Sequence, residues 1–312
     1  MQSWPFLRRA TPWLVTAAAV GYVLHAITHQ AVWSDSASWK ALWTPARPWL
    51  LGGLLAGVPL NWGLETVKWH SLTRNPNKRW ADSTREVLFG ALWGLITPNR
   101  AGDAVARVAL LPPQDRVQGS RAWAIGAWAQ AGWTLSLGSV ACIAAARSPG
   151  LATGSPLSSA TLMQLGLFAA CGTALWWSIP RWPKNAMLNR LTQRFGSLQV
   201  PVQPAQWLRQ ITLSGLRYVV FSAQFLLALG AWGFPIAQTQ AVAIAVVYLG
   251  NMIIPTAALA ELGVREALMI AWMAPASDLI APLLAATFAV WACNLLLPAL
   301  LGAAAYLMRR HA

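Results

Sequence analysis
Apolar residues run along this chain in long blocks, separated by short polar stretches. The blocks lie near 13–33, 48–67, 86–111, 121–146, 158–179, 210–232, 240–273 and 279–307. Each approaches or exceeds the run of about 20 apolar residues that a helix needs to cross a bilayer. The pattern predicts an all-α polytopic membrane protein of about eight membrane segments. The longest polar stretch, 180–209, is interrupted by Pro180, Pro183, Pro201 and Pro204, with a short interfacial helix expected at 185–195.

Two blocks are not plain spans. In 86–111 the apolar half Val87–Thr97 stops at Pro98-Asn99-Arg100-Ala101-Gly102-Asp103. In 240–273 the half Ala241–Ile254 stops at Pro255, and Leu262-Gly263-Val264-Arg265-Glu266 opens another. Proline removes a helical hydrogen bond and glycine permits a turn. Pro98, Gly102, Pro255 and Gly263 are therefore the expected hairpin-shaping residues. Irregular backbone at membrane depth is tolerated only inside protein or beside a cavity.

Charge sets the expected topology. Stretch 68–85 carries Lys68, Arg74, Lys78, Arg79 and Arg85; stretch 180–209 carries Arg181, Lys184, Arg190, Arg194 and Arg209. Both belong on the cytoplasmic side, with Arg8-Arg9 and Arg309-Arg310. That holds only if 86–111 and 240–273 are re-entrant hairpins, which leaves six crossings and both termini cytoplasmic. The hairpins then enter from opposite faces. A repeat of about 48–146 and one of about 210–307 become inverted copies within one integral membrane domain, 1–312. Inverted repeats built on broken helices mark transporters with a site near the midplane.

Composition agrees. The chain is 56% hydrophobic and 10% charged, against about 25% charged in soluble domains. Disorder, collagen and disulfide scaffolds are excluded, and no stretch is left for a soluble catalytic domain of roughly 100 residues. The net charge of +14 fits cytoplasmic loops on anionic lipid better than nucleic acid. The 20 tryptophans suit interfacial belts. Cys142, Cys171 and Cys293 read as buried thiols. Block 13–33 reads as an uncleaved first span, and its His25 and His29 lack the further ligands of a metal site.

Polar residues gather in the same segments. Asn61, Glu65 and Lys68 share one face of their span. Arg100, Asp103 and Arg107 share another if that stretch is helical, and Asn99 stands beside them. Gln130 and Thr134, Arg217 and Gln224, Glu261, Arg265 and Glu266, and Asn294 follow. Ionisable groups within a membrane face partners or a wet cavity. Half-helices starting near Asp103 and Gly263 would aim free N–H groups at an anion. Structural ion pairing is the competing reading for any single residue, with Glu261 and Arg265 correctly spaced for it.

Ile96-Thr97-Pro98-Asn99-Arg100-Ala101-Gly102-Asp103 with Arg107 resembles the Pro-x-Arg-x-Gly-acidic motif of the lysylphosphatidylglycerol synthase transmembrane, flippase-like, family. Leu262-Gly263-Val264-Arg265-Glu266-Ala267 resembles its second signature. Asn61-Trp62-Gly63-Leu64-Glu65 with Lys68-Trp69, Gln130, Leu216-Arg217-Tyr218, Gln224-Phe225, Trp291 and Asn294 extend the likeness over roughly 48–307. Asp103 replaces a frequent Glu, and Ala260-Glu261 replaces a frequent Gly pair. The resemblance implies a stand-alone membrane domain, without the soluble synthase domain, that moves a lipid or lipid-linked amphiphile between leaflets of a bacterial-type inner membrane.

The expected substrate-binding set is Glu65, Lys68, Asn99, Arg100, Asp103, Arg107, Gln130, Arg217, Gln224, Glu261, Arg265, Glu266 and Asn294. Arg100 and Arg265 are expected in one shared cavity, balanced by Asp103 and Glu266. No nucleophile, phosphate loop or metal motif appears, so no cofactor, no metal and no catalytic residue is expected. Anionic-headgroup membrane lipids are the expected partners. A homo-oligomer, pathway-enzyme partners, and a polytopic enzyme or accessory subunit of a glycolipid pathway stay open as alternatives.

Overall fold
The computed structural model describes residues 36–73, 78–97, 100–151, 154–178, 203–254 and 260–310. Among these the chain is helical and contains no strand. The expected span 13–33, the interfacial helix 185–195, and Pro98, Asn99 and Pro255 lie outside the described residues.

The helices follow the apolar blocks. A short α1, Ser36–Trp43, precedes α2, Leu50–Thr73. Block 86–111 becomes two helices, α3 (Trp80–Ile96) and α4 (Ala101–Ala109). Then come α5 (Arg116–Arg147), α6 (Ser159–Ser178) and α7 (Pro204–Ala231). Block 240–273 is likewise two helices, α8 (Gln238–Ile253) and α9 (Ala260–Met273). The last block is one rod: α10 (Ser277–Trp291), a π-helical turn at Ala292–Leu296, and α11 (Leu297–Arg310).

Among the described residues, four stretches are long and apolar enough to cross a membrane: Pro113–Arg147, Ser159–Ser178, Pro204–Ala231 and Ser277–Leu307. This fits an all-α membrane protein. The 24 residues of α2 reach about 36 Å, at about 1.5 Å per residue. Its polar residues lower its hydropathy, and Asn61, Lys68 and His70 are buried within the bundle.

Two polar stretches are shorter than expected. Stretch 68–85 is mostly helix: α2 continues to Thr73 and α3 starts at Trp80. Side-chain pairing across the two helices makes this tenable. Trp69 Nε1 donates to Glu86, Lys78 Nζ just before α3 donates to Thr73 Oγ1 at 2.8 Å, and His70 Nδ1 and Ser83 Oγ lie 2.9 Å apart. Stretch 180–209 ends at Gln203, because Pro204 opens α7 at a position where a missing N–H costs nothing.

Packing follows a regular plan. α2 lies against α7. α3 touches α2, α4 and α11, while α8 touches α7, α9 and α5. α5 packs on α2 and α4, and α10 packs on α7 and α9. Exchanging α2 with α7, α3 with α8, α4 with α9, and α5 with the α10–α11 rod maps each of these contacts onto another. The central core joins α7, α8, α9 and α10 through Phe225, Leu229, Ile244, Met269 and Leu283. The outer face of α6 exposes Leu165, Leu167, Phe168 and Leu175. Cys171 on α6 is also exposed, which corrects its reading as a buried thiol; Cys142 is buried and Cys293 half-buried.

Candidate functional site
The first break is held by one hydroxyl. Thr97 Oγ1 donates to the Trp93 carbonyl at 2.7 Å and accepts from Gly102 N–H at 2.8 Å. It thereby ties the end of α3 to the start of α4. Arg100, just before α4, adopts a left-handed conformation with φ 56° and ψ 25°. Gly102 is required, because a Cβ there would stand 2.5 Å from the Trp93 carbonyl oxygen. With α4 so placed, Gly102, Asp103, Ala106 and Arg107 form its buried face.

The second break falls between Ile253 and Ala260. α9 starts before Leu262, so Gly263 sits inside a helix and shapes no turn, contrary to expectation. The first half-helix likewise starts at Ala101, before Asp103. Acids occupy both first turns, Asp103 in α4 and Glu261 in α9. Negative charge at a helix N-terminus is electrostatically favoured.

A cavity of about 520 Å³ opens between α2, α4, α5, α7, α8, α9 and the π turn. Of the expected residues, Glu65, Lys68, Arg100, Asp103, Arg107, Gln130, Arg217, Glu261, Arg265 and Asn294 line it. Two described ones do not. Gln224 is buried between helices, where its Nε2 donates to the Leu54 carbonyl at 2.9 Å. Glu266 lies off the cavity against Thr287 of α10.

Glu65 is the hub on one side. Its Oε1 accepts from Arg107 Nη1 at 2.8 Å; its Oε2 accepts from Arg217 Nη1 at 3.0 Å and Lys68 Nζ at 3.2 Å. Lys68 also donates to the Gly126 carbonyl at 3.3 Å. Arg107 grips Asp103 with two bonds, Nε to Oδ1 at 2.7 Å and Nη2 to Oδ2 at 3.0 Å, and Trp123 Nε1 donates to the same Oδ2 at 3.0 Å. Paired geometry of this kind is the stronger form of charge-assisted bonding.

The hub reaches the π turn through α2. Arg217 Nε donates to Asn61 Oδ1 at 2.8 Å, and Asn61 Nδ2 donates to Asn294 Oδ1 at 2.8 Å. Pro298 has no N–H to offer the Asn294 carbonyl four residues back. Trp62 Nε1 takes up that carbonyl at 3.2 Å. Buried backbone acceptors need such a partner.

The other side is paired less completely. Arg265 is 2% exposed, yet only its Nη2 is bonded, to Glu261 Oε1 at 2.7 Å. Its Nε and Nη1 have no partner. The guanidinium lies 5.9 Å from the Phe221 ring centre. Gln130 Oε1 and Asn251 Oδ1 are also buried without a partner. Among the described residues, the Arg100 side chain has no hydrogen-bond or ion-pair partner.

The expected balance of charges is thus corrected. Asp103 pairs with Arg107 rather than Arg100, and Glu261 pairs with Arg265 rather than Glu266. Four-residue spacing on a helix puts each acid directly beneath its arginine. Trp123, Tyr218, Phe221, Tyr248 and Asn251 also line the cavity without having been expected there as site residues, and so does Asn61, which the sequence places on the same face of its span as Glu65. Tyr248 and Asn251 were detectable as polar groups one turn apart in the apolar run that follows Gln238-Thr239-Gln240 in α8. Phe221 carries no such signal.

Five basic side chains and three acids face this one cavity. Such a site attracts an anion and can hold it with several donors at once. No family model matches the chain, and no curated protein matches it.

Proposed function
We propose that the chain is a flippase-like membrane transporter that carries a lipid or lipid-linked amphiphile with an anionic headgroup between leaflets. The carrying observation is the cavity, in which five basic side chains outnumber three acids inside a predominantly apolar helical bundle. A bundle needing only stability has little use for so many buried charges, since apolar packing serves as well or better. The cavity's size falls within the range of about 300–1,000 Å³ typical of ligand sites, enough for a headgroup.

The architecture supports the same reading. Two broken helix pairs, α3–α4 and α8–α9, bring their second helices to one cavity. Helix contacts map onto each other when the two halves are exchanged, as an inverted repeat requires. In this reading 48–146 and 210–307 are the repeats, the breaks are re-entrant, and both termini are cytoplasmic. The motif resemblance to the lysylphosphatidylglycerol synthase transmembrane family points the same way. No nucleotide site accompanies the cavity in the sequence, so the driving force is an ion gradient or the lipid gradient itself.

The test is translocation in vesicles. Purified protein is reconstituted with a fluorescent anionic lipid, and exposure of the label to an impermeant quencher is followed. Wild type is expected to accelerate exchange between leaflets, and Arg265→Ala and Arg100→Ala to lose most of it. Wild-type rates in both variants would sink the mechanism. External labelling of cysteines introduced within 180–203 would sink the topology.

A further inference from the structure
The cavity's two sides differ in how far their charges are already satisfied. Around Glu65 every cation has a carboxylate partner: Lys68, Arg107 and Arg217 all reach it, and Arg107 also holds Asp103. At Arg265, two of three guanidinium nitrogens face no partner although the side chain is 2% exposed. A buried donor without an acceptor is costly and rare in native proteins. This one belongs to a charged group lining a cavity large enough for a ligand.

We infer that this less-paired side is a subsite for a doubly charged phosphate, a phosphomonoester or diphosphate group, seated on Arg265. Among the described residues Arg100 is the cation of the same cavity that has no acidic partner, while Arg265 is paired with Glu261 through one nitrogen and leaves the other two unbonded. The inference rests on the proposed lipid transport only for the source of the phosphate. Its chemistry rests on charge and geometry. Five cations and three acids leave an excess of two positive charges in the cavity. A carboxylate or a phosphodiester brings one negative charge and leaves a buried cation unmatched. A phosphomonoester brings about two near neutral pH and matches the excess. Its several acceptor oxygens suit Nε and Nη1 of Arg265, which are buried at the cavity wall without a partner. The Phe221 ring centre, 5.9 Å from the guanidinium, is within cation–π range of it.

The decisive experiment measures ligand binding to the full chain in detergent, above the second phosphate pKa of about 6. Fluorescence of Trp62 and Trp123, which line the cavity, gives the readout. The probes are phosphatidic acid and phosphatidylglycerol with identical acyl chains, and water-soluble glycerol phosphate. Phosphatidic acid is expected to bind at least about tenfold tighter than phosphatidylglycerol, given the strength of charge pairing with a buried guanidinium. Arg265→Gln should abolish that preference and Arg265→Lys should reduce it. Glu261→Gln, which frees Nη2 and raises the excess charge, should tighten phosphatidic acid. Thermal unfolding of each variant separates lost binding from lost fold.

Equal binding of the two lipids overturns the doubly charged subsite and leaves lipid transport standing. Glycerol phosphate binding as tightly as phosphatidic acid, with the same dependence on Arg265, supports the subsite and overturns the lipid source. Binding of none of the probes overturns both.

Discussion

Arg107 and Arg265 occupy matching places. Each stands on the second helix of a broken pair, four residues after an acid in the first turn of that helix, and each is buried against the same cavity. Their environments differ. All three nitrogens of Arg107 are engaged, two by Asp103 and one by Glu65. Arg265 engages one, with Glu261. The difference comes from α2 and α7, which bring Glu65 and its cations to Arg107 and nothing equivalent to Arg265. The two halves share an arrangement of helices, but one end of the cavity is tied together and the other is left ready to receive charge.

The comparison is broken most severely at the hub. Glu65→Gln removes the one carboxylate shared by three cations. It should cost about 3–5 kcal/mol of stability, the range for orphaning a buried charge, read as a lowered unfolding midpoint in detergent. A midpoint near wild type would mean that the three cations are screened by water and that the hub is no structural tie.

Arginine-to-lysine exchanges sharpen the contrast next. Arg107→Lys keeps the charge but cannot grip Asp103 and Glu65 together, and should lose about 1.5–3 kcal/mol. Arg265→Lys gives up only one bond and should lose under about 1 kcal/mol. Comparable losses at both positions would erase the distinction between a tied end and a receptive end.

The break that positions α4 is open to the same kind of test. Gly102→Ala would push a methyl group against the Trp93 carbonyl and Thr97 Oγ1, 2.5 and 2.6 Å away. It should cost about 1–3 kcal/mol and loosen Arg107 with it. The smallest expected effect is a gain. Arg100→Gly relieves a left-handed conformation that costs roughly 1 kcal/mol in a non-glycine residue, so the unfolding midpoint should rise slightly even as phosphate binding weakens. A fall in midpoint would show that the Arg100 side chain holds the break together.

Much of the fold was legible in the sequence because hydrophobic length and breaks in it are local properties. Blocks at 48–67, 121–146, 158–179 and 210–232 became α2, α5, α6 and α7, and both interrupted blocks became helix pairs. Polar residues in apolar helices also declared themselves one at a time, and ten of the expected set line the cavity. The boundaries failed where side chains from two helices satisfied each other. Thr73 and Trp80 end up helical because Trp69, His70 and Thr73 find Glu86, Ser83 and Lys78 as partners across the gap.

The sequence by itself determined the helices, the two breaks and the inventory of buried charge, since each follows from residue type and spacing along one segment. The pairs Asp103–Arg107 and Glu261–Arg265 follow from four-residue spacing along one helix. Only the tertiary structure decided the pairing between helices, above all the convergence of Arg107 and Arg217 on Glu65. Gln224 looked like a site residue until α7 turned it toward the Leu54 carbonyl of α2. Phe221 and Tyr248 joined the cavity because α7 and α8 face α9 there. Pairing depends on which faces of distant helices meet, and the sum of many weak packing contacts fixes that orientation rather than any single residue.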